Sequence, residues 1–167
     1  MRYLTSFILM LFSVICIAQN CKLEIDDIDP RTKLRVVRTE FEQLERVNNN
    51  PFLIKAQAVG EQRFLKIRYY RYNNFEIKPG SEMEFILSDN STVTLKPFIN
   101  PGDTVPEQNS FMTVSSMIIF PIEPADFEKL STYDLVKFKY FIEQGYIYTE
   151  VKEKRQTLLR VLLQCIK

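Results

Sequence analysis

Residues 52–70 read FLIKAQAVGEQRFLKIRYY. Phe52, Ile54, Ala56 and Ala58 recur at every second position, Gly60-Glu61-Gln62 turns the chain, and Leu65, Ile67 and Tyr69 resume the alternation. Lys66, Arg68 and Tyr70 fall on the opposite face. Side chains of an extended backbone point alternately to its two sides, so a period of two with one apolar face marks a half-buried strand. The stretch predicts an antiparallel hairpin laid over a core.

The same period runs outward in both directions. Leu23 and Ile25 alternate with Lys22, Glu24 and Asp26; Asp29-Pro30-Arg31-Thr32 is a turn signal; Leu34, Val36 and Val37 return. Asn48-Asn49-Asn50-Pro51 breaks the chain. Pro79-Gly80 predicts a type II turn, after which Met83, Phe85 and Leu87 alternate, Asp89-Asn90-Ser91 closes a tight hairpin, and Val93 and Leu95 come back. Pro97 to Ser110 reads as a long polar loop. Met112, Val114, Met117, Ile118, Phe120 and Ile122 form a further strand.

Pro124 opens a short helix near 124–131, at a position where its missing N–H costs nothing, with Phe127 and Leu130 on its apolar side. Val136, Phe138, Tyr140 and Ile142 alternate, Gln144-Gly145 turns, and Ile147, Thr149 and Val151 return. From Lys152 to Ile166 the period changes. Leu158, Val161, Leu162 and Cys165 fall three and four apart, with Leu159, Leu163 and Ile166 widening the stripe, which predicts an amphipathic C-terminal helix. The fold class expected is α+β, predominantly antiparallel sheet of about eight strands, sandwich or barrel-like, with these two helices.

The N-terminus is of another kind. Arg2 is the one charge before residue 22, and Leu4 to Ile17 is almost wholly apolar. That run has the length of a signal-peptide core and is short of the roughly 20 residues needed to span a bilayer. Cys16-Ile17-Ala18 places small residues where a signal peptidase reads, so cleavage is expected after Ala18. Residues 19–167 are then a single globular domain, secreted or periplasmic. Lipid attachment is the lesser alternative, because neither Cys16 nor Cys21 has the flanking residues that it needs. No second apolar run of membrane length occurs, so no transmembrane segment is expected in the mature chain.

If Cys16 leaves with the leader, Cys21 and Cys165 remain. In an oxidising compartment they are expected to form a disulfide, pinning the first strand to the last helix. The chain holds 22 basic and 21 acidic residues, and losing Arg2 balances them. A neutral balance argues against nucleic acid as a partner, since that affinity needs a positive field.

The chain contains no histidine, which removes histidine-based triads, acid–base work and metal sites. Its glycines, Gly60, Gly80, Gly102 and Gly145, stand alone, so no phosphate-cradling loop is expected. No cofactor, catalytic residue or metal site is assigned. Glu24, Asp26, Asp27 and Asp29 read either as a calcium site or, preferably, as a strand ending in a capped turn. FLKIRYYRYNNF at 64–75 puts Lys66, Arg68, Tyr70 and Tyr72 on one face. That is either a surface on which a ligand stacks or an ordinary exposed strand face. Asn100 and Asp103, in the long loop, complete the candidate binding surface. Asn90-Ser91-Thr92 matches a glycosylation acceptor but sits in a tight turn.

A leader ending Ala-Gln, the cysteine that follows, the strand and turn through Asp29 and Thr32, PIEPADFEKL at 121–130, and the closing LLQCI together resemble small secreted or periplasmic proteins of Bacteroidetes-type bacteria. The resemblance implies an envelope or extracellular address and carries no activity, so it assigns no functional residue. The function expected is a non-catalytic module that binds an envelope or extracellular protein or ligand. The alternatives are a carboxylate-dependent hydrolase of envelope polymers and a β-barrel holding an apolar ligand.

Overall fold

The computed structural model describes residues 21–47, 49–71, 82–98, 114–142 and 145–167. The leader, and with it the cleavage site, lies outside them. Ten strands and two short α-helices occur among the described residues. The larger sheet runs β1 (Leu23–Ile28), β2 (Arg35–Thr39), β4 (Asn50–Val59), β5 (Gln62–Arg71) and β8 (Val114–Ile122), with β3 (Glu42–Val47) also paired to β4. The smaller sheet runs β10 (Gly145–Glu150), β9 (Leu135–Ile142), β6 (Met83–Leu87) and β7 (Thr92–Leu95). Every pairing is antiparallel. Both strand orders are open paths, and no closed barrel forms among the described residues.

The hairpin of 52–70 is the centre of the larger sheet. Val59 pairs with Gln62 across the turn, and the register runs on to Phe52 opposite Tyr69. Gly60 sits at φ +55, a conformation that suits a residue without a side chain, and Leu34 closes over it. Phe52, Ile54, Ala56, Leu65 and Ile67 are buried on the inner face. They meet Met83, Phe85, Phe138 and Tyr140 of the smaller sheet in one continuous core. Phe52 bridges the sheets directly, its ring 4.8 Å from that of Phe138.

β3 was not legible in the alternation. A bulge between Gln43 and Glu45 puts neighbours Leu44 and Glu45 both into the interior, which breaks the period of two. Glu45 is satisfied there. Its carboxylate accepts the Arg46 N–H at 3.0 Å and the Lys152 N–H at 3.2 Å, with the Lys152 ammonium at 3.4 Å.

Helix α1 (Pro124–Thr132) forms as expected, with Pro124 in its first turn and Leu130 buried. The C-terminal helix is shorter than its hydrophobic stripe. A 3₁₀ turn covers Glu153–Arg155, and α2 is confined to Leu158–Gln164. Gln156 explains the break, because its carbonyl accepts the Leu135 N–H and its side chain donates to the Val151 carbonyl. The backbone there is committed to β9 instead of to a continuous helix. Leu159, Leu162, Leu163 and Ile166 are buried, while Leu158 and Val161 are only partly so. α2 packs on α1, on β4 and on β9, and so closes one end of the sandwich. Cys165, just past α2, is bonded to Cys21, with their Cα atoms 5.7 Å apart. No helix among the described residues is long and apolar enough to cross a membrane.

Candidate functional site

Because Ile54, Ala56, Leu65, Ile67, Ile118 and Phe120 point inward, their neighbours along the same strands point away from the core. The register arranges these outward residues in rows. Arg38, Gln57, Phe64 and Pro121 form one row. Lys55, Lys66 and Ile119 form the next, and Leu53, Arg68 and Met117 the one after. Four cations therefore share one sheet face with a band of apolar side chains.

Three of these cations are tied down by the chain itself. The Arg38 Nε–H donates to the Gln57 side-chain oxygen at 2.9 Å, and its guanidinium lies 3.5 Å from Glu24. The Lys55 ammonium lies 2.6 Å from the other Glu24 oxygen and 4.3 Å from the centre of the Phe41 ring. The Arg68 guanidinium stacks 4.4 Å from the same ring. Lys55 and Gln57 are buried although they face away from the core, because this cluster covers them. The Lys55 bond holds the Glu24 carboxyl below its usual value.

Lys66 differs. No ion pair or hydrogen bond holds its ammonium among the described residues. Its pKa is lowered, first by burial of the amine and then by the neighbouring charges of Arg38 and Lys55, with Glu24 opposing. Lys66 projects into a groove of about 940 Å³. Phe64, Phe98, Ile119, Pro121 and Phe127 give it a mainly apolar lining, to which Arg63, Glu61 and Glu123 also contribute, so Lys66 is not its only charged residue. Phe98 is fixed by its backbone N–H, which donates to the Ile119 carbonyl at 2.7 Å, while its ring is 60% exposed.

The outer face of the smaller sheet makes a useful contrast. There Lys137 pairs with Glu150 at 2.7 Å and Lys139 with Glu84 at 3.6 Å, and Tyr146 and Tyr148 lie over the two ammoniums. Each of those charges is answered within the sheet.

The structure brings Lys66 and Arg68 onto one face, as their spacing predicts. Tyr70 continues the strand, paired with Ser115. Its side chain, with Tyr72, Asn100 and Asp103, lies outside the described residues, as does the Pro97–Ser110 loop beyond Phe98. Arg38, Phe41, Lys55 and Phe98 belong to the site and were not singled out from the sequence. Lys55 was accessible in principle: once Gly60 fixes the turn, the hairpin register sets it opposite Lys66. Arg38, Phe41 and Phe98 reach the site through pairings between distant segments, for which a local pattern carries no signal.

The acidic stretch at the N-terminus has internal partners. Asp26 forms a two-pronged pair with Arg35 at 2.9 Å, and Asp29 accepts the N–H groups of Arg31 and Thr32, capping its own turn. Glu24 belongs to the cation cluster. Asn90 sits at φ +65 in its hairpin, with Asp89 accepting from the Ser91 N–H at 3.0 Å. Comparison with protein-family models, curated proteins and solved structures finds no match to this chain.

Proposed function

We propose that the chain is a secreted or periplasmic, non-catalytic binding module whose ligand lies in the groove on the outer face of the larger sheet. The observation that carries this reading is the apolar lining of that groove. The solvent side of an antiparallel sheet is ordinarily polar, and a contiguous apolar hollow there, rimmed by charge, is the form of a recognition site. The volume, about 940 Å³, falls within the range of small-molecule sites.

The oxidising address is supported by the Cys21–Cys165 bridge, since such bonds persist outside the reducing cytosol. It is also what the resemblance to Bacteroidetes-type secreted proteins implies. On this reading residues 1–18 are removed on export, and sequencing the exported protein from its N-terminus should give Gln19 first. A chain still starting at Met1, or a lipid-blocked cysteine, would contradict the cleavage.

The groove itself is tested with a neutral apolar dye such as Nile red. Wild-type protein should enhance its fluorescence saturably. Phe98→Asp, a change at an exposed ring, should weaken that binding at least about tenfold, a loss of about 1.4 kcal/mol, with the thermal melt unchanged. Undiminished binding by the variant would place the apolar site elsewhere.

A further inference from the structure

Resting on that reading of the groove, the arrangement of its charges narrows the ligand. An apolar hollow alone is suited to a neutral hydrocarbon. Here one end of the hollow carries an ammonium with no carboxylate in ion-pair contact among the described residues, whereas Arg38 and Lys55 pair with Glu24. Arg68, stacked on the Phe41 ring with its buried Nε unpartnered, adds a second cation without a carboxylate on the same face. A partly desolvated charge left unpaired is costly, whereas one that meets an opposite charge on binding repays the cost. Lys55 stands directly opposite Lys66 across β4 and β5, and Arg38 lies in the adjoining row, so both add positive charge beside it, with Glu24 partly offsetting them.

We infer that the groove takes a single-chain amphiphilic anion, its acidic head against Lys66 and its hydrocarbon body along Phe64, Ile119, Pro121 and Phe98. Two geometric facts favour this occupant. Lys66 and Ile119 are directly paired across β5 and β8, so charge and apolar floor adjoin within one row. Phe98, bonded to the same Ile119, forms a wall that a linear chain can follow.

A dispersed amphiphile is favoured over the surface of an anionic bilayer. The chain as a whole carries a formal charge of only +1, which gives no general attraction to an anionic surface. The cations are gathered beside a concave groove, which a single molecule can enter and a flat headgroup layer cannot.

The experiment compares laurate with lauryl alcohol by calorimetric titration at neutral pH, using the full disulfide-bonded protein. Laurate should bind about tenfold more tightly than the alcohol. Lys66→Gln should remove that preference and leave the alcohol unaffected, and Lys66→Arg should retain it. Equal affinity for the two probes, or a laurate preference that survives Lys66→Gln, would overturn the assignment of the anion while leaving an apolar groove in place. Failure of both probes to bind would overturn the groove itself. Binding to phosphatidylglycerol vesicles with none to dispersed laurate would overturn the choice of a single-chain ligand.

Discussion

Protein carrying Cys21→Ser and Cys165→Ser should melt about 10 °C below the wild type. The bond spans 144 residues of sequence, so the unfolded chain it constrains is nearly the whole domain. The loop-entropy argument gives roughly 5 kcal/mol for a loop of that size, and native bridges in small secreted domains are worth about 2–5 kcal/mol in practice. For a chain of this length each kcal/mol shifts the melting temperature by roughly 2–4 °C. The local structure points to the upper part of that range. Among the described residues β1 is an edge strand, paired with β2 alone and mostly exposed, so it has little apolar burial of its own to hold it. α2 has only seven residues, fewer than an isolated helix needs. The bridge joins these two short elements. A melt of the double variant within about 2 °C of wild type would show that β1 and α2 are held adequately by packing, contrary to this account.

The second large effect is expected at Glu45. Without the carboxylate the N–H groups of Arg46 and Lys152 lose their acceptor, and a hydrogen bond to a charged group is worth about 1.5–3 kcal/mol, whereas the exposed Lys152 ammonium stays solvated. Glu45→Ala should therefore lower the unfolding free energy by about 3 kcal/mol at neutral pH, with the bulge of β3 left unsupported. Burial by itself raises the Glu45 pKa. The N–H groups of Arg46 and Lys152 and the Lys152 ammonium outweigh it, and the net shift is downward. A carboxyl whose pKa is lower folded than unfolded stabilises in full above its unfolded value of about 4.3 and loses that contribution as pH falls through the folded value. Urea unfolding should thus show the gap between wild type and Glu45→Gln shrinking below about pH 4, while both lose stability. Comparing the two proteins isolates Glu45 from Glu24, Asp26, Asp29, Asp89 and Glu150, whose pKa values are also held low. A gap that stays constant with pH would mean that Glu45 has the same pKa folded and unfolded, contrary to the downward shift.

The antiparallel architecture was readable because alternation is a local property. The period of two in 52–70 places Ile54, Ala56, Leu65 and Ile67 inside without reference to any other segment, and the structure buries all four. Where a residue's neighbours come from far away, that logic stops. The β3 bulge exists because Glu45 finds Lys152 more than a hundred residues later. Gln156 interrupts the final helix because β9 offers it the Leu135 N–H. The binding face shows both cases. Lys66 and Arg68 were visible as outward positions on one strand. The features that make the face a candidate site depend on β2, β4, β5 and β8 lying side by side. Those features are the sharing of the single Glu24 carboxylate by Lys55 and Arg38, the stacking on Phe41 and the apolar lining from Ile119 and Pro121.

The most direct test of the groove as a ligand site is a map of backbone amide shifts on titration with laurate. Saturable shifts should concentrate at Phe64, Lys66, Phe98 and Ile119, with Tyr146 and Tyr148 on the other sheet unmoved. Shifts centred on the outer face of β9 and β10, or none at concentrations well above the alcohol's own binding, would contradict a ligand site in the groove.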